Sequence, residues 1–303
     1  MAGPACPAAG ENRGPDSMSK TATAGKFVPI SKSRHAGRYW RRFTSYEFAR
    51  GLRQVPIVLG EQEQAAANFP ILFRAAGPEG AQWSAPVAML RLSAEGESPF
   101  VAPNGIWRAH YVPSILRVHP FGARPGRPAE GADGDVIQMA VLVDEASGLI
   151  SDDPNDEPFF NAEGEIDQAL AEVVAFFRQR TNAARKTQLA CAALGRADLL
   201  TEVDTTQPGM AELAGFHVVN RARLEALDDT AISQLYRSGA LALAFAHFVS
   251  LAHVAFLQSV EVSIENSPAT GQTSDIYDYD SSERLSGFLD ALAASQDSET
   301  GQS

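Results

Sequence analysis

Eighteen consecutive residues, Asn104 to Phe121 (NGIWRAHYVPSILRVHPF), hold one Trp, one Tyr, two Arg, two His, two Pro and one Phe. These side chains are large, directional or demanding of hydrogen bonds, and a bland packing surface rarely concentrates them. The chemistry they suit is recognition of an anion or a small polar ligand. Arg117 can fork onto a carboxylate or phosphate while Trp107 and Tyr111 supply an apolar wall. The same arginine has a second use, as partner of an interior acid such as Glu61 or Asp144, with the aromatics filling a core. Both uses stay open at the level of sequence.

A second set of polar residues lies in Ser238 to Val260, a stretch of 23 residues without a charge. His247, Ser250 and His253 recur there every three positions and so share one side of a helix. Such a set can relay protons or bind a metal. The two histidines are, however, splayed by ~120° around the helix axis, too far to hold one ion well. Core histidines bonded to carbonyls are the expectation. The acidic run Ser151 to Pro158 (SDDPNDEP) fails the calcium-loop pattern, because Pro158 stands at its sixth position and Gly164 at its twelfth. A solvated loop is expected instead. Nucleophile-elbow, dinucleotide and P-loop strings are absent. Neither a cofactor nor a metal is expected.

What must position these residues is a chain of 303 residues with ordinary apolar content, long enough for a sizeable core without disulfides. Cys6 and Cys191 lie in unrelated contexts and are expected to stay unpaired, which favours a reducing, cytoplasmic setting. Residues 1–26 are Pro/Gly-rich with no apolar leader segment, so a disordered tail is expected. The net charge of −12 is unevenly spread. Phe27 to Arg53 holds seven bases against one acid, and Val262 to the end holds eight acids against one base. That balance argues against a nucleic-acid partner. The basic stretch Arg38 to Arg53, with Tyr39, Trp40 and Phe43 interleaved, is read as a solvated face. The acidic tail, 263–303, is expected to fold back onto it or to seat in a partner groove. Leu285, Phe288, Leu289 and Leu292 would form one face of a short helix there.

Between the tails the pattern is strand-rich first and helix-rich later. Strands are expected at Val55–Leu59, Ile71–Arg74, Pro86–Leu92 and Val136–Asp144, the last covered on both faces, with a helix over Glu61–Asn68. Helices follow at Glu165–Gln179 and Asn182–Leu194, the second ended by Gly195. Leu199–Thr205 and Gly215–Val219 read as a strand pair. A short helix at Arg221–Leu227 precedes one capped by Asp228 or Asp229 that runs through Tyr236. Ser238–Val260 is long enough to span a bilayer, but it lacks flanking bases and an aromatic belt. It is read as a long helix buried on most sides, with no permanent membrane insertion. The fold class is α+β: one intertwined domain over 27–262.

Several strings resemble the bacterial SapC family, named after a surface-layer-associated protein. They are YEFARGLRQVPIVLGE (Tyr46–Glu61), NFPILF (Asn68–Phe73), GIWRAHYVPSILRVHPF (Gly105–Phe121), VLVDEASG (Val141–Gly148), FFNAEGE (Phe159–Glu165), GFHVVNRARLEAL (Gly215–Leu227) and AHFVSL (Ala246–Leu251). His35, Glu61, Trp107, Tyr111, Arg117, His247 and Ser250 match the family pattern; His110, His119 and His253 depart from it. The resemblance carries no agreed activity or catalytic residue. It implies genomic company with flavin-dependent halogenases, TonB-dependent receptors and cupin-like oxygenases, hence envelope or nutrient-uptake physiology.

The combined expectation is a soluble protein that binds a small anionic or polar ligand, or a partner protein, without chemistry of its own. Its binding residues would be Trp107, Tyr111, Arg117, His247 and Glu61. The competing expectation is an enzyme or accessory protein acting with an oxygenase or halogenase, with Arg117, Tyr111 and His247 in one pocket. Convergence of Arg117, His247, Glu61 and His35 on one hollow separates the two.

Overall fold

The computed structural model describes residues 25–76, 83–125, 139–206 and 210–266. Both expected tails fall almost entirely outside them, as do Leu285–Leu292. The architecture is α+β, with strands mostly in the first half and helices mostly in the second. Described residues up to Val262 form one compact unit.

Among the described residues the strands form three antiparallel sheets, drawn mostly from the first half. The largest has the order β10 (Leu200–Glu202), β11 (Phe216–Val219), β4 (Ile71–Ala76), β5 (Trp83–Met89), β3 (Gln54–Pro56). Ile71, Leu72 and Phe73 are all buried, so the unbroken apolar run of β4 is explained by cover on both faces. A second sheet has the order β1 (Phe27–Pro29), β7 (Met139–Asp144), β6 (Phe121–Pro125). Here the expectation of a doubly covered strand is corrected: Met139 to Leu142 are only half-buried. Val136–Gln138 lie outside the described residues. The smallest sheet sets β2 (Tyr39–Trp40) between β8 (Ile150–Ser151) and β9 (Glu157–Pro158).

Among the helices, α1 (Lys32–His35), α2 (Gln62–Ala66) and α4 (Arg221–Glu225) are single short turns, and α3 (Gln168–Arg196) is the longest. The sequence reads as two helices there, but no residue between Gln179 and Asn182 breaks the ladder. A single helix of 29 residues results, about 43 Å long. Asp167 caps it by accepting from the Ala169 N–H at 3.1 Å. Gly195 lies inside the last turn, and the chain leaves the helix at Ala197 and the left-handed Asp198. The N-terminal half of α3 buries Leu170 and Phe177 against the two small sheets, while Ala190, Cys191 and Leu194 pack with the C-terminal helices. One rod thus joins separate apolar clusters.

The uncharged stretch is helical but not one smooth cylinder. Asp228 caps α5 (Asp229–Ser238) through the Ala231 N–H, and Gly239, at φ 78°, turns the chain into α6 (Ala240–Ser250). After Leu251 the chain continues as α7 (Ala252–Asn266). Cover on most sides is also corrected: Leu243, Ala244, His247 and Ser250 are fully buried, whereas Phe245 and Val249 are exposed.

His247 and Ser250 explain how α6 sits on the large sheet. Pairing of His217 with Phe73 in the β11–β4 ladder places Val219 level with Ile71. The imidazole of His247 fills that place in the ladder. The Val219 N–H donates to Nε2 at 3.2 Å, and Nδ1 lies 2.6 Å from the Ile71 carbonyl. A backbone N–H can only donate, so Nε2 is unprotonated and Nδ1 carries the proton. Ser250 completes the same residue: its Oγ accepts from the Ile71 N–H at 2.9 Å and donates to the His247 carbonyl at 2.6 Å.

This arrangement holds only for a neutral ring, and burial pushes the His247 pKa down to about 4. The unfolded chain binds the proton near pH 6.5 and the folded one near pH 4. The stabilisation is therefore complete above pH 6.5 and is lost as pH falls from there to 4. About 3 kcal/mol of unfolding free energy should disappear across that window. Urea unfolding of wild type and His247→Gln, repeated at pH 7, 5.5 and 4, checks it: the variant should lack this component of the slope.

Candidate functional site

The Trp107–Phe121 segment is held by one buried acid. Glu61, 5% exposed at the start of α2, accepts four hydrogen bonds, two on each oxygen. Oε1 takes the Val58 N–H at 3.0 Å and the Arg180 guanidinium at 2.8 Å; Oε2 takes the Tyr111 hydroxyl at 2.7 Å and the Ser114 N–H at 2.8 Å. Arg180 also donates to the Pro56 carbonyl at 2.7 Å and to the Ser114 hydroxyl. Burial alone would push the Glu61 carboxyl pKa up. The bonds from Tyr111 and Ser114 and the charge of Arg180 outweigh it, so the pKa lies below the usual carboxylate value. Burial and the adjacent carboxylate together push the Tyr111 phenol up. With every lone pair occupied, Glu61 has no capacity left for a ligand.

Trp107 turns inward as well. Its indole N–H donates to the Tyr111 carbonyl at 2.8 Å, and its ring packs with Tyr46, Phe69 and Phe100. His247 is fully buried in the sheet, as described. His35 is 1% exposed, in ring contact with Phe159, its Nδ1 3.3 Å from the Ser31 carbonyl. Arg117, Tyr111 and Glu61 are therefore neighbours, whereas His247 and His35 sit elsewhere in the core.

Arg117 behaves differently from the rest. It is exposed, its Nε donates to the Val112 carbonyl at 2.8 Å, and its guanidinium lies 5.0 Å from the centroid of the Tyr111 ring. Among the described residues it forms no ion pair. Of the two interior acids expected as its partner, Glu61 is held by Arg180 and Asp144 accepts from the Ala146 N–H at 3.0 Å. Arg117 stands on the lip of an open groove of about 330 Å³. Trp40, Phe43, Phe121 and Phe176 provide the groove's aromatic surface, Val118, His119 and Val173 further lining, and Arg42 and Glu172 its other charges. Trp40 and Phe121 meet edge to face at 4.8 Å, and the His119 ring stacks on Phe48 at 3.8 Å. Burial pushes the His119 pKa down, so that ring is neutral at pH 7. The indole N–H of Trp40 is buried without a hydrogen-bond partner among the described residues.

The matching family model is that of SapC, over residues 30–257. The chain belongs to the SapC family. No curated protein and no solved structure matches it. The family assignment thus identifies the fold unit without supplying a site, and the site in this SapC protein rests on its own geometry.

Charge distribution selects the groove over a second hollow among the described residues. That one, about 350 Å³, is lined by Trp40, Arg41, Arg42, Asn155, Asp156 and Glu157. Its bases already face acids, Arg41 to Asp156 at 3.8 Å and Arg42 to Glu157 at 3.3 Å. The pattern extends along the basic stretch: Arg34 pairs with Glu145 and Arg38 with Asp152, each at 2.6 Å. The acidic run 151–158 is at the surface, as expected, and also supplies the counter-charges of the basic face. Exposed pairs of this kind contribute little stability individually; Arg117, by contrast, borders its groove without an ion pair among the described residues, although Glu172 also lines that groove.

Sequence reasoning missed Trp40, Phe43, Phe121 and Phe176 as a group. Trp40 and Phe43 come from the segment before β3, Phe121 from β6 and Phe176 from α3. The legible signal was Ala169, Glu172, Val173 and Phe176 at helical spacing along one face of α3, beside the buried Leu170 and Phe177.

Breaking the Glu61 cluster should be costly, because it strands a buried guanidinium and two backbone donors. Glu61→Ala is expected to lower unfolding free energy by about 3–5 kcal/mol, and Tyr111→Phe, which removes one donor to a charged acceptor, by about 1.5–3 kcal/mol. Chemical denaturation at pH 7 measures both.

Proposed function

We propose that this SapC protein is a binding protein for small amphipathic anions, with Arg117 holding the carboxylate or similar group and the groove holding an apolar body. The observation that carries the reading is the placement of Arg117: exposed, preset by the Val112 carbonyl and the Tyr111 ring, and without an acid partner among the described residues. A guanidinium fixed in this way loses less freedom when it meets an oxyanion. The groove's volume lies at the lower end of the range for small-molecule sites, and its aromatic lining with few polar groups fits that class.

A further feature supports binding over the enzyme reading. His247, needed for the enzyme reading, faces β4 and β11 with both ring nitrogens engaged. The resemblance-based link to envelope or nutrient-uptake physiology is retained as part of this proposal, as is a cytoplasmic setting.

Ligand-observed NMR with 3-phenylpropionate and its neutral analogue 3-phenylpropanol tests the reading. The acid should bind at least about 10-fold more tightly, since a charge-assisted hydrogen bond contributes about 1.5–3 kcal/mol. Arg117→Ala should abolish that preference while leaving the unfolding midpoint unchanged, and Phe176→Ala should weaken both compounds. Equal binding of acid and alcohol, or an unaltered preference in Arg117→Ala, would overturn it.

A further inference from the structure

The outward face of α6 and α7 is the largest anomaly on the described surface. Ala242, Phe245, Val249, Ala252, Ser259 and Val262 are exposed and recur at helical spacing along one side. Phe245 and Val249 are 52 and 66% exposed within Ser238 to Val260, a stretch that carries no charge, and Val262, just beyond Glu261, is 54% exposed. A helical surface facing only water normally carries charged or polar residues, and a contiguous apolar strip marks an interaction site. Arg221 lies 4.1 Å over the Phe248 ring and gives the strip a charged margin, the arrangement of an apolar centre with a polar rim.

We propose that this strip is the docking surface for a second copy of the same chain, related by a two-fold axis. Three considerations select that occupant. A charged partner surface would have its ions desolvated against the strip without compensation, whereas a second strip of the same character matches it. Ala242, Ala252 and Ser259 leave shallow gaps along the strip, and Phe245 and Val249 are the projections that fill such gaps. The area also suffices. The helical run Ala240–Ser263 has 24 residues, about 36 Å of length. Two such faces in contact withdraw on the order of 1,000 Å² from water, about the size at which a specific interface becomes stable. Insertion across a membrane is incompatible with this fold, because His247 and Ser250 on the opposite face are bonded to Ile71.

Sedimentation velocity of the full chain from about 1 to 200 µM tests the proposal at a concentration range suited to a micromolar dimer. Wild type should pass from monomer to dimer. Val249→Asp and the milder Phe245→Ser should each raise the dissociation constant at least 10-fold, with near-ultraviolet circular dichroism unchanged. Wild type that stays monomeric throughout, or a dimer that withstands both substitutions, overturns the proposal. Flotation of monomer with neutral phosphatidylcholine vesicles, abolished by Val249→Asp, would overturn it in favour of a lipid surface.

Discussion

A single carboxylate, shielded from water between three parts of the chain, fixes the geometry on which the groove depends. Glu61 belongs to the turn after β3, Tyr111 and Ser114 to the aromatic segment, and Arg180 to the middle of α3. A buried ion pair is a poor source of net stability, since desolvation offsets much of its attraction. What it supplies is uniqueness of position. Any shift of one segment unpairs donors on another, and unpaired buried donors are expensive. The two walls of the groove, Arg117–Phe121 and Ala169–Phe176, are extensions of two of the segments that Glu61 joins. Removing the acid would therefore be felt at the site even though the acid itself touches no ligand.

His247 and Ser250 play a comparable part for the sheet and the last helices. A strand that ends its ladder early leaves backbone groups needing partners, and buried groups of this kind are nearly always satisfied. The structure meets that need with side chains from a helix, both directed at Ile71. Two polar residues in an otherwise apolar helix are thus parts of the sheet's hydrogen bonding. That accounts for their presence without any metal or proton relay, and it ties one face of α6 down while leaving the other free for a partner.

How much of this was legible follows from how local each determinant is. The β10–β11 pair, α4, α5 and the cap at Asp228 depend on neighbours in sequence, and pattern and capping chemistry reveal them. The unity of α3 was missed because helical periodicity drifts over 29 residues, so its apolar face reads as two stripes against two different clusters. The exposed side of α6 was hidden for a different reason. Amphipathicity is recognised by polar residues on the outer face, and here that face is apolar too, so a one-sided helix looks like a central one.

The role of Arg117 shows where sequence reading stops. Its two uses, internal partner or ligand contact, differ only in which of several basic residues reaches Glu61. That choice is made by Arg180, 119 positions away from the acid, and no spacing rule predicts a pair so distant. The same holds for Arg34, Arg38, Arg41 and Arg42, whose counter-charges lie more than a hundred residues on, in Glu145, Asp152, Asp156 and Glu157. Formal charge along a chain says little about free charge on a surface until the pairs are known. Once they are subtracted here, the cation left beside an aromatic hollow is Arg117, which has no ion pair among the described residues while Arg180 holds Glu61.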